Sequence, residues 1–434
     1  MVDVTLAITY FGILLGLGVI VASFLKKWNI PDTFFLIVLG LVLGPTIFAN
    51  PAVTQSISVT LVDVGAMGAI PDFLRLLALI IIVFSGAFCL NFKTFKRLSG
   101  ISLKLGVVGV IFSTIFLGLF VRFIFGLDFV YAFLLAAIIS GTATEVILPF
   151  EKSLARFKKS VSILKLESIF NTPLTVLLPI LFLDFVKAEP GALFAPMGYL
   201  SQFWLMVVAG IGTGIVIGLA VGKIIKKLKY YTVLTLLSVS LISYALAENV
   251  GGSGMLAVAI TGIIIGNMKF KEKQEMLAFE NQLSEMLRIS VFTLLGASVS
   301  LFITIQEFML IVAFFVIVVF SRLVFFFPAI GNMKDKFSRR ELILMSFVAP
   351  RGLSAAAMAP IVATSVLALG TPAALFAAPK MMNIIFLVIL LSVLFSTGMT
   401  AVLRRGYKGG TKIKESKIPD SKYLEVNESM GSEE

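Results

Sequence analysis

The chain contains no histidine. That removes the commonest metal ligand and the usual near-neutral general base. It has one cysteine, Cys89, so no disulfide framework and no thiolate metal centre is expected. Charge is scarce as well: 14% of the 434 residues are charged, against 59% hydrophobic, and the mean hydropathy is +1.04. A water-soluble core has no use for that much apolar side chain, so the chain reads as an all-α polytopic membrane protein. Basic residues are missing ahead of the first apolar run, Val2 to Phe24. That run is too long for a signal core and is expected to be the first span. Forty Phe and 35 Gly suit helices packed closely in lipid.

Apolar stretches of spanning length lie at 4–24, 33–49, 73–91, 101–124, 128–149, 161–186, 201–222, 232–248, 253–267, 284–302, 306–328, 342–368 and 381–402, about thirteen spans. The net charge of +12 falls on alternate connections between them. One set carries Lys26 and Lys27, Lys93 to Arg97, Lys152 to Lys159, Lys223 to Lys227, Lys269 to Lys273, Lys334 to Arg340, and Arg404 with Arg405. The other set, 50–71, 187–200, 249–252, 303–305 and 369–379, holds only Lys187. Membrane topology explains the basic excess, and no nucleic-acid partner is expected. The basic set is placed in the cytoplasm, with the N-terminus outside and the polar tail, 404–434, inside as a flexible extension.

With this topology, span 1 and span 8 run in opposite directions, so spans 1–6 and 8–13 form inverted repeats if they are repeats at all. Spans 5 and 12 then correspond, and both are interrupted. Span 5 reads Ser140-Gly141-Thr142-Ala143-Thr144-Glu145, and span 12 reads Ala349-Pro350-Arg351-Gly352. Gly, Thr and Pro let a membrane helix open and expose its carbonyls, and paired broken helices point to a binding site.

Polar side chains deep in a span are costly and mark ion or substrate paths by default. The richest such stretch is Glu167-Ser168-Ile169-Phe170-Asn171-Thr172-Pro173 in span 6. Ser168 and Thr172 share one helix face, and Glu167 and Asn171 share the next, making a small oxygen-lined cation site. Glu145 and Glu167 are the two acids well inside predicted spans, and Glu145 shares a face with Thr142. Arg322 and Arg351 are buried cations that need acceptors: Glu167 for one of them, freed carbonyls at a break for Arg351. Arg288 is expected to extend to the cytoplasmic surface, and otherwise to serve as a structural ion-pair residue. An intramembrane serine protease needs a histidine or lysine base, and an aspartyl one needs two deep aspartates. Neither set is apparent, so no enzyme is expected.

Taken together, these residues resemble the monovalent cation/proton antiporter superfamily, in particular the electroneutral branch of prokaryotic sodium/proton antiporters. The likeness runs from about Ala7 to Leu403. It rests on Leu39-Gly40-Leu41-Val42-Leu43-Gly44-Pro45, on Thr142 to Pro149, on Glu167 to Asn171, on Arg288 followed by Phe292 to Ala297, on Arg322, and on Pro350-Arg351-Gly352. The resemblance implies crossed broken helices in spans 5 and 12. It implies a scaffold of spans 1–3 and 7–10 (1–99 and 189–304) that forms a homodimer, and a mobile core of spans 4–6 and 11–13 (100–188 and 305–403). It also implies a prokaryotic plasma membrane, no cofactor, and a transported monovalent cation, sodium first. Glu167 is implied to pair with Arg322, and Thr142, Ser168, Thr172 and Glu167 are the expected ion ligands, with Thr144 and Asn171 beside them. Two motifs depart from the family pattern. Where that branch has Thr-Asp-Pro and Asn-Asp, this chain has Thr142-Ala143-Thr144 and Asn171-Thr172. A threonine binds a cation but releases no proton at physiological pH. The proton carrier is therefore expected at Glu145, with Glu167 itself as the other titrating candidate. The alternative reading is an uncoupled channel, a sensor or a transport-impaired variant.

Overall fold

A computed structural model describes residues 4–27, 31–44, 61–90, 92, 100–143, 157–187, 196–225, 232–268, 273–299, 303–331, 337–348 and 351–405. Among these residues there are fourteen α-helices and no strand. They are α1 Val4–Lys27, α2 Thr33–Leu43, α3 Ile70–Phe88, α4 Gly100–Phe125, α5 Phe129–Ser140, α6 Lys158–Lys187 and α7 Pro196–Ile225. Then come α8 Thr232–Asn249, α9 Gly254–Gly266, α10 Lys273–Ala297, α11 Ile305–Ile330, α12 Arg339–Phe347, α13 Leu353–Leu367 and α14 Pro372–Arg405. Seven of them (α1, α3, α4, α6, α7, α11 and α14) are long and apolar enough to cross a bilayer unaided. Of the others, α10 has the length, at 25 residues, but is less apolar, and the rest are shorter. Each stretch expected to span overlaps a helix, and the twelfth overlaps two, α12 and α13. Thr144, Glu145, Pro350 and the tail from 406 lie outside the described residues.

Local chemistry sets several helix starts. Thr304 with Glu307 at α11, and Ser338 with Glu341 at α12, form reciprocal capping boxes that satisfy backbone N–H groups at the helix entrance. The Ser253 hydroxyl caps α9. The outward faces are apolar, as lipid demands: Ile8 and Ile20 on α1, Val208 and Val216 on α7, and Met309 and Val316 on α11 are all exposed.

Inside, the helices approach through glycine. A Cβ on Gly40 of α2 would lie 2.0 Å from the Thr293 carbonyl oxygen of α10, and one on Gly296 of α10 would lie 2.1 Å from the Ile37 carbonyl oxygen of α2. The pair can touch backbone to backbone only because both positions lack a side chain. The glycine-rich Leu39 to Gly44 segment is therefore a packing surface in this fold.

Both expected interruptions fall among or beside the described residues. α5 stops at Ser140, and Gly141 is extended, with ψ of 154°. Between α12 and α13 the backbone leaves the helix at Val348 and re-enters after Gly352, which has φ −124° and ψ −144°. A third irregularity has no counterpart in the sequence reading. Lys104–Val108 winds as a π-turn inside α4. Gly106 in that turn faces α6, where an added Cβ would meet the Phe170 side chain at 2.9 Å and the Glu167 carbonyl oxygen at 3.0 Å. Such turns concentrate at functional sites.

Candidate functional site

Glu167, a third of the way along α6, is 1% exposed. Its Oε1 accepts from Arg322 Nη1 at 2.6 Å and from the Thr142 hydroxyl at 2.9 Å; its Oε2 accepts from Arg322 Nη2 at 3.0 Å. This is a two-pronged, charge-assisted pair, the strong geometry for a guanidinium on a carboxylate. Arg322, from α11, also donates through Nε and Nη2 to the Met345 carbonyl of α12, at 3.1 and 2.8 Å. Its other donors thus tie the pair to the helix that ends just before the second break.

Thr142 sits in the extended chain after α5. Asn171 Nδ2 donates to its carbonyl at 3.0 Å and to its hydroxyl at 2.8 Å, while that hydroxyl donates onward to Glu167. Thr142, Glu167 and Asn171 form one hydrogen-bonded group. Asn171 Oδ1 is buried with no hydrogen-bond partner among the described residues. An unpaired buried acceptor costs free energy unless something else meets it.

Arg351 lies in the second break, 3% exposed. Its Nη1 donates to the Ser140 and Gly141 carbonyls, both at 2.9 Å. These are carbonyls that the end of α5 leaves without helical partners. Its own N–H is held by the Ser392 hydroxyl of α14 at 2.9 Å. The arginine of one interruption therefore satisfies the backbone of the other. A small cavity lies between these groups, lined among others by Ser113, Ser140, Thr142, Glu167, Asn171, Arg322 and Arg351.

Of the residues expected to act together, the fold brings Thr142, Glu167, Asn171, Arg322 and Arg351 to this cavity. Ser168 and Thr172 do not line it. The Thr172 hydroxyl turns back along its own helix and donates to the Ser168 carbonyl at 2.7 Å, an ordinary i−4 contact. Thr144 and Glu145 lie outside the described residues. Arg288 corrects an expectation. It does not reach out to water: it is 8% exposed and held by Asp32 at 2.7 and 3.0 Å, Thr33 at 3.2 Å, and Glu285 at 2.8 and 3.1 Å. This cluster locks the start of α2 to α10, away from the cavity. The expectation failed because periodicity places Arg288 near a span end but cannot show that Asp32, 256 residues away, covers it. The sequence reading also missed Ser113, Met345 and Ser392. A serine in an apolar run or a backbone carbonyl carries no local signal of its partner.

Breaks in two helices joined by a buried arginine, beside a cavity lined by a carboxylate, an amide and a hydroxyl, define an ion-transporter architecture. A family profile described as sodium/hydrogen exchanger, transmembrane, matches residues 11–405. The chain belongs to this family of cation/proton antiporters. A probable Na(+)/H(+) antiporter 2 of Methanocaldococcus jannaschii is 28% identical over 319 residues, covering 69% of this chain and 71% of that protein. The Na(+)/H(+) antiporter 1 of the same organism is 27% identical over 386 residues, covering 84% and 85%. The solved structure of the sodium proton antiporter MjNhaP1 from M. jannaschii at pH 8 superposes with a TM-score of 0.76. It covers 92% of this chain and 98% of that one at 23% identity, which speaks to the fold.

Proposed function

We propose that this chain exchanges a monovalent cation, sodium first, for protons by alternating access, and that Glu145 carries the exchanged proton. The observation that carries this reading is the charge around the cavity. The lining includes two guanidinium groups, Arg322 and Arg351, and one carboxylate, Glu167. That carboxylate already accepts from Arg322 through both oxygens. That two-pronged contact commits Glu167 to Arg322 as part of the scaffold of the site. A cation entering a site with a net positive surround needs a further negative charge. Thr172 stands where the family's exchangeable aspartate would be, and Glu145 is the other acid deep in a predicted span.

Under this reading, Thr142 and Asn171 Oδ1 offer oxygen ligands to the cation, and Glu145 neutralises either the cation or the proton in turn. The loaded site can then cross the apolar interior and the unloaded charged one cannot. One proton for one monovalent cation moves no net charge, so exchange is electroneutral. Support for a core made of 100–188 and 305–403 comes from the hydrogen bonds themselves, which join α5, α6, α11, α12 and α14. The remaining helices would form the scaffold and dimer interface, in a prokaryotic plasma membrane with the basic connections in the cytoplasm.

The test is cation-driven pH change in proteoliposomes. Glu145→Gln is expected to abolish it, while a membrane potential leaves wild-type exchange unaltered. Unimpaired exchange in the variant, or a current that follows the potential, overturns the proposal.

A further inference from the structure

Glu280 is the one carboxylate among the described residues whose two oxygens are both buried without a hydrogen-bond partner. It is 1% exposed. The sequence reading left it in a cytoplasmic connection, ahead of the apolar stretch 284–302. The fold instead carries α10 back to Lys273 and packs Glu280 inside. An ionised carboxylate in such a place is costly, and a group so placed holds its proton instead.

The surroundings locate it at a junction. Cys89, at the end of α3, is within electrostatic reach of Glu280, of Lys273 in the first turn of α10 and of Lys165 on α6. Lys273 donates to the Gly266 carbonyl at the end of α9 and lies 5.7 Å from the Phe88 ring centre. Further along the same face of α3, a Cβ on Gly86 would meet the Ile169 side chain of α6 at 3.4 Å. The seam between α3 and α6 therefore runs from beside Glu280 to within one turn of Glu167. The other helices packed on α10 bring little charge to this level. Lys26 of α1 and Asp32 of α2 face Glu285 and Arg288, further along α10. α13 has no charged residue, and the only one in α8, Glu248, is at its far end.

We infer that Glu280 is a second proton-binding site of this antiporter, at the seam where α3 and α10 meet α6. Its neutral acid is retained while the seam is closed, and it loses the proton to water when the seam opens. The balance is simple: the O–H bond breaks, the proton passes to water on the basic, cytoplasmic face, and the carboxylate is left behind at a junction whose Cys89 also lies within reach of Lys165 and Lys273. The direction of release rests on the reading under Proposed function; the protonation does not. Burial raises the proton affinity of Glu280 from the ordinary 4.5 to about 7, so its charge changes in the physiological range. The sign follows from linkage. Its folded-state affinity is raised, so the stability tied to its proton is complete below pH 4.5 and is lost as pH rises to about 7.

Three readings on the purified full-length protein test this. Thermal melting of Glu280→Gln and wild type, from about pH 5 to about pH 9, is expected to show equal stability at the acid end and a more stable variant above neutrality. Infrared difference spectra over the same range should show a protonated carboxyl band lost in wild type and absent in the variant. The pH profile of sodium-driven exchange should move by about one unit in the variant. Parallel melting curves, or a wild-type band already gone by about pH 5, overturn the proposal. If the variant does not fold, the wild-type band decides alone. The melting and infrared readings need no transport, so normal exchange by Glu145→Gln would refute that earlier proposal and leave this one standing.

Discussion

Two helix contacts in this molecule are made by opposite means. α2 lies on α10 through glycines, with the Gly40 and Gly296 positions against carbonyl oxygens of the facing helix. α6 meets α11 through a buried ion pair, Glu167 with Arg322, that extends to Thr142, Asn171 and Met345. Apart from the Asp32–Arg288 ion pair that fixes the start of α2, the first contact is dispersion over a close backbone approach, and the glycine stretch itself has no charge to neutralise. The second holds one charge against another where water is scarce, and each member leaves a costly orphan when its partner goes. A rigid seam suits the first means. A site that must present oxygen atoms to an ion needs the second.

The comparison can be broken most severely at the ion pair. Arg322→Met leaves Glu167 buried and unpaired and should cost about 3–5 kcal/mol, read as a fall in melting temperature. Glu167→Leu combined with Arg322→Met should recover much of that loss, because no charge is then stranded. A double variant as unstable as the single one would show that the pair is not the source. At the glycine seam, Gly40→Ala should cost about 1–3 kcal/mol by forcing α2 off α10. Gly12→Ala on α1, where an added Cβ meets nothing within 4 Å, is the control and should change stability by less than about 0.5 kcal/mol. Equal effects at the two positions would contradict the packing account.

Smaller substitutions sharpen the picture. Thr142→Val removes the hydroxyl shared by Glu167 and Asn171 and should cost about 1–3 kcal/mol, with a large loss of cation affinity. Thr172→Val removes a hydroxyl that serves only its own helix, so stability should move by less than about 0.5 kcal/mol and exchange should stay near wild type. Loss of exchange in Thr172→Val with normal exchange in Thr142→Val would place the cation on the other face of α6.

Much of the candidate site was legible because membrane burial makes polarity conspicuous. Glu167, Asn171, Arg322 and Arg351 stand out in apolar runs, and Gly141 and Gly352 mark the interruptions. What stayed hidden were groups whose role depends on a distant partner. The π-turn in α4 reads as ordinary helix, since Lys104-Leu105-Gly106-Val107-Val108 has no breaking residue apart from one glycine. Ser168 and Thr172 matched the face rule for α6, yet the cavity lies on the neighbouring face, because Thr142 approaches from that side. Glu280 was invisible for a related reason: its segment is polar enough to pass for a loop, and only the packing of α10 on α3 removes it from water.

The sequence by itself determined the class of protein, the approximate placement of its spans and the positions where helices open. Those follow from hydropathy and backbone chemistry, which are local and sum along the chain. Residue chemistry alone did not say which charges meet. The Glu167–Arg322 pair, 155 positions apart, was expected only through the family resemblance, and the meeting of Arg288 with Asp32 across 256 positions came from the tertiary structure alone. A buried charge requires a partner but does not say which one; only the packing of helices into one body brings a particular donor within hydrogen-bond reach of a particular acceptor.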